Sequence, residues 1–120
     1  MTIQDTIRKI EAIRDLTNDE RKASDGVFHL DGAVSLDDII KTLQDDGHDV
    51  VAYEIAPEPL LGNDGYLVEV HVDDHLLHVG EWSVWHGGKH AGFRHHFFAW
   101  TGETADIRRD MQAVDAIAKA

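Results

Sequence analysis

The chain has no cysteine and only two prolines, and no apolar run approaches the ~20 residues a membrane-spanning helix needs. Without thiols it cannot be a disulfide-stapled miniprotein or a thiolate-zinc module, and it has no cysteine nucleophile. Hydrophobic burial must stabilise the fold unaided. The start, Met1-Thr2-Ile3-Gln4-Asp5, lacks a basic segment followed by an apolar run, so no secretory signal is expected and a cytoplasmic protein is the expectation.

Catalytic signatures are missing too. Ser24, Ser35 and Ser83 have no nucleophile-elbow context, Gly87-Gly88 lacks the remaining glycines of a phosphate loop, and no His-Glu-x-x-His occurs. No motif therefore specifies an enzyme class.

Basic residues are scarce in one place only. Residues 1–22 carry five basic and five acidic side chains, and residues 89–120 carry five and four. Residues 23–88 have fourteen carboxylates against Lys41 alone, and they account for the net charge of −12. Such a field repels phosphate backbones and anionic membranes and favours a basic partner. Solubility or adaptation to high salt also produces acidity, and sixteen Asp against seven Glu would suit it. A salt-adapted chain, however, should be acidic along its whole length, whereas these ends are balanced.

At 120 residues, one domain spanning 1–120 is expected, burying roughly two-thirds of its unfolded surface. Thr2 and Asp5 form an N-terminal capping signal, and Ile3, Ile7, Ile10, Ile13 and Leu16 recur at helical spacing. Thr17 and Glu20 signal a further short turn to Ser24, and Val27–Leu30 reads as a short edge strand. Ser35 caps a helix with Asp37 and Asp38 in its first turn and Leu36, Ile39, Ile40 and Leu43 as its buried stripe; Gly47 ends it.

Val50–Ile55 reads as a strand closed by Pro57-Glu58-Pro59, and Asn63-Asp64-Gly65 as a turn. The stretch Tyr66–Trp100, which holds most of the histidines and all three tryptophans, reads as a β-meander. With Asp73-Asp74 as a two-residue hairpin turn, Val72 faces His75, Val70 faces Leu77, Val68 faces Val79 and Glu69 faces His78. Apolar parity then shifts to Trp82 and Val84, which predicts a bulge at Gly80. Thr101 or Thr104 is expected to cap a last helix carrying Ile107, Met111, Val114 and Ile117. The expected fold is α+β: an antiparallel meander of about four strands, with N-terminal helices and a C-terminal helix packed on one face.

Two functional readings follow. The first is a small non-enzymatic protein, monomer or homodimer, presenting Asp37, Asp38, Asp45, Asp46, Asp49, Asp73 and Asp74 to a basic protein surface such as a nuclease or nucleic-acid-binding complex. Anti-CRISPR proteins and nuclease-immunity proteins are analogous in charge and size. The second is a metal-binding protein or metal-dependent enzyme in which Glu69, His71 and His78 hold zinc or iron(II), with Glu81 or His96 beside them. The first reading needs no cofactor. The aromatics around His90, His95 and His96 read as core or as the lining of a pocket.

Overall fold

In the computed structural model, which describes residues 2–10, 13–16, 24–30, 35–62, 64–102 and 106–119, helices and strands mix as expected for α+β. Thr2 starts α1 (Ile3–Arg8), its hydroxyl accepting from the Asp5 amide while the Asp5 carboxylate accepts from the Thr2 amide. The helix stops at Arg8, short of the expected Leu16. Ile13 instead lies in β1 (Ile13–Asp15), opposite Leu30 of β2 (Val27–Leu30), while Leu16 packs in a second core. Helical spacing was misleading here because the later apolar residues serve two different faces of a sheet. The turn expected from Thr17 falls on residues 17–23, outside the described residues.

Ser35 repeats the capping box with Asp38 at the start of α2 (Leu36–Asp45), which buries Ile39 and Leu43. Gly47, at φ +86°, gives the left-handed exit that a side chain would resist. β3 (Val50–Pro57) carries a register shift between Val50 and Ala52. The strand runs two residues past the expected Ile55 and ends at Pro57, opposite Tyr66, where the Pro57-Glu58-Pro59 segment closes it. Pro57 is tolerated because β3 is a sheet edge, where a missing N–H costs little. A 3-10 turn at Pro59–Leu61 leads to β4 (Tyr66–Val72), followed by β5 (His75–His86), β6 (Gly92–Trp100) and α3 (Ile107–Lys119). Asp106 caps α3, accepting from the Arg109 amide; Thr101, the expected cap, donates its hydroxyl to the Gly26 carbonyl instead, and Thr104 is outside the described residues.

The described strands form one antiparallel six-stranded sheet in the order β1-β2-β6-β5-β4-β3. The expected four-strand meander is therefore extended, and β2 is internal, flanked by β1 and β6. The Asp73-Asp74 hairpin has the expected register, with Val72 opposite His75 and Glu69 opposite His78.

No bulge occurs at Gly80: pairing of β4 with β5 runs unbroken to Tyr66 opposite Glu81. The parity change has another cause, which also corrects the one-faced arrangement. One face buries Val68, Val70, Val72, Leu77, Val79, Phe97 and Ala99 against Ile7, Ile39 and Leu43 of α1 and α2. The other buries Trp82, Val84, Phe98 and Trp100 against Met111, Val114 and Ile117 of α3. Apolar residues of both parities are thus buried without any register slip. Gly80 allows this second layer to close, since a Cβ there would lie 3.1 Å from the Trp100 ring and 3.2 Å from Leu61.

Candidate functional site

The C-terminus of α2, the loop after it and the β4–β5 turn meet at one end of the sheet. The Asp49 amide donates to Asp73 Oδ1 at 2.7 Å, and the Asp73 amide donates to the Asp49 carbonyl at 3.0 Å. Asp45, Asp46, Asp49, Asp73 and Asp74, contributed by segments far apart in sequence, are thereby gathered at this end. The α2 C-terminus adds the negative pole of its dipole. Asp37 and Asp38 sit at the other end of α2, and Asp38 is committed to the capping box. The seven nominated aspartates therefore divide five and two.

A buried polar network ties two of these five together, Asp46 and Asp73, through Thr6 and His48. Thr6 of α1 is fully buried; its Oγ1 lies 2.7 Å from Asp46 Oδ2 and 2.9 Å from His48 Nε2. His48 Nδ1 makes a short contact with Asp73 Oδ2. All three contacts are hydrogen bonds at once when both ring nitrogens carry a proton, so that Nδ1 donates to Asp73, Nε2 donates to Thr6 and Thr6 donates to Asp46. The His48 bond, reinforced by the Asp49 amide, holds the Asp73 carboxyl below its ordinary range. Lys9, 2.9 Å away, and then Thr6 do the same for Asp46. Asp45, Asp49 and Asp74 are exposed and make no ion pair among the described residues. A groove of about 690 Å³ beside them is lined by His48, Asp73, Asp74, Leu76 and Leu77. Thr6 does not line it, so the Thr-His-Asp arrangement is an internal brace with no accessible nucleophile.

The second nominated set lies on the α3-side face of the sheet. Glu69 and His71 project there from β4, but the third ligating atom comes from Glu54 of β3: the three ligating atoms lie within 4.8 Å of one another. His78 stands beside them, its Nε2 3.7 Å from Glu69 Oε1. Burial, only partly opposed by Glu69, lowers the His78 pKa, which leaves a neutral ring near pH 7. Neither expected neighbour joins the set. Glu81 points to the opposite face, 3.6 Å from His95, and His96 lies among other histidines.

His96 is buried on β6, with Nδ1 3.0 Å from His29 Nε2 and Nε2 2.9 Å from His86 Nε2. In both pairs the ring centroids are 5.2 Å apart, longer than the N···N distance by about two ring radii. The nitrogens therefore face each other head-on, as in N–H···N bonds, whereas donors to a single ion converge on a point. Trp82 and Phe98 stack beside them at 5.1 Å, so the aromatics around His96 are core, while His90 and His95 are exposed.

Sequence reasoning missed Thr6, His48 and Glu54. His48 had a local signal, sitting between Asp46 and Asp49, but nothing in the sequence brings Thr6 to it. Glu54 depends on the β3–β4 register, which the Pro59–Leu61 turn and the shift near Val51 set. No helix among the described residues is long and apolar enough to cross a membrane. No family model, no curated protein and no solved structure matches the chain.

Proposed function

We propose that the protein is a small binding protein whose acidic end, built from Asp45, Asp46, Asp49, Asp73 and Asp74, docks on a cationic protein surface of the kind that binds phosphates. The observation that carries this reading is the convergence of α2, its exit loop and the β4–β5 turn on one exposed acidic surface. The turn chemistry supports it. Asp73 and Asp74 both adopt left-handed backbone, at φ 52° and 61°, where Asn-Gly would be less strained. Asp73 is explained by His48; Asp74, exposed and without an ion pair among the described residues, keeps its carboxylate at a conformational cost. Asp37 and Asp38 are left out of the surface. The partner class remains that of nucleases and nucleic-acid-binding complexes, with anti-CRISPR and immunity proteins as functional analogues.

The test is capture of purified nucleases and nucleic-acid-binding proteins by the immobilised chain, in competition with duplex DNA. Capture should be displaced by DNA, weaken with salt as the Debye length shrinks, and be lost in an Asp45→Asn/Asp49→Asn/Asp74→Asn variant. Equal capture by that variant sinks the reading.

A second reading rests on Glu54, Glu69 and His71, with His78 beside them. Glu54 and Glu69 are direct cross-strand partners, and like charges so placed repel. A divalent cation would relieve this, with zinc or iron(II) suited to the mixed carboxylate and imidazole donors. Stoichiometric metal in untagged protein, lost in Glu54→Gln and in His71→Ala, would establish it; metal retained by both variants would reject it.

A further inference from the structure

From Trp82 to Gly102 the chain has 21 residues without one carboxylate, although the whole carries 23. The middle of this stretch forms the far end of the β5–β6 hairpin. β4 pairs with β5 only as far as Glu81, and β2 pairs with β6 only from Phe97 onward. Residues 82–86 and 92–96 therefore project as a two-stranded ribbon among the described residues. On one side of its tip, Trp85 and Phe93 pair edge-to-face at 5.2 Å, yet they are 57% and 72% exposed. Lys89 belongs to the loop joining the two strands and Arg94, the partner of Val84, projects from the other side of the ribbon; neither makes an ion pair among the described residues.

We propose that this aromatic, cationic tip docks into the acidic end of a second copy of the same chain. The tip and the Asp73-Asp74 turn stand at opposite ends of β5. At about 3.3 Å per residue that separation is about 36 Å, most of the 42 Å long axis. Next to the turn is a groove of about 520 Å³ lined by Val51, Ala52, Leu76, His71, His75 and Asp74. Val51 is 72% and Leu76 42% exposed, which offers apolar contact to the two rings while Asp74 meets Lys89 of the tip loop. Two bodies of net charge −12 repel in general, and head-to-tail docking is the arrangement that brings opposite charges together. The contact is heterologous, so each docked pair keeps one free tip and one free groove and extends with concentration. It requires no foreign partner, but a cationic protein on the acidic end would compete with it.

Sedimentation velocity on the full chain tests this. The wild type should grow in mass beyond a dimer as concentration rises. Tip variant Trp85→Ser/Phe93→Ser and groove variant Leu76→Ser/Asp74→Lys should each stay monomeric, with circular dichroism matching the wild type because all four positions are exposed. An equimolar mixture of the two should double in mass and stop there, one intact tip meeting one intact groove. A wild type monomeric at every soluble concentration overturns the proposal. So does a mixture that stays monomeric although each variant abolishes association, since that would mean tip packs on tip. A monomer that instead retards a single-stranded oligonucleotide through Trp85 would give the tip to nucleic acid and equally reject the self-contact.

Discussion

Thr6→Val tests the brace that holds the acidic end in shape. Valine has nearly the same volume as threonine, so the fully buried site neither collapses nor overpacks. What disappears is Oγ1, which lies 2.7 Å from Asp46 and 2.9 Å from His48. His48 Nε2, on a side chain only 6% exposed, is left without that partner. An orphaned buried polar group costs about 1–3 kcal/mol, so a loss of about 2 kcal/mol is expected. Against a stability of roughly 5–15 kcal/mol, urea denaturation resolves this readily. Thr6→Val combined with His48→Leu should cost less than the sum of the two single changes, because both act on one bond. The double variant also separates the network from ordinary core packing. A Thr6→Val loss below about 0.5 kcal/mol, the range of surface substitutions, would refute the brace.

Three further outcomes follow. Trp82→Ala should cost about 3–5 kcal/mol, as a large buried aromatic leaves a cavity under α3; a cost under 1 kcal/mol by denaturant titration would mean that α3 does not cover this face. Asp74→Gly should stabilise the fold by roughly 1 kcal/mol through relief of left-handed strain, while weakening capture of a cationic partner; a variant that gains stability and binds unchanged would show that the carboxylate is idle. Acid should destabilise the acidic end: Asp46 and Asp73 titrate below their ordinary value of 3.8 in the folded state, so their contribution is complete above that value and is lost as pH falls through the lower folded values. Stability measured from pH 5 to pH 2 should fall, and a flat profile would contradict the hydrogen bonds assigned to these carboxylates.

The local and the short-range were legible in the residues themselves. Thr2 and Ser35 announced their N-caps because a cap is a contact over three residues. Asp73-Asp74 fixed its hairpin register because a two-residue turn leaves one pairing, and Glu69 was placed opposite His78 on that basis alone. The concentration of charge in residues 23–88 was equally plain.

Contacts closed over long distances along the chain were decided by tertiary structure. Ile13 and Leu16 continue a helical period, yet a strand pairing with β2 claims one and the α3-side core claims the other. Trp82 and Val84 look like a register slip when one face of the sheet is assumed wet; only the packing of α3 shows that the second face is buried at these two residues. Glu54 enters the Glu69–His71 cluster through a register set by an irregular connection. Thr6 meets His48 and Asp46 only when α1 folds against the end of α2. In each case short-range chemistry selected the element, while burial of the remaining apolar surface, which acts without regard to separation along the chain, selected what it touches.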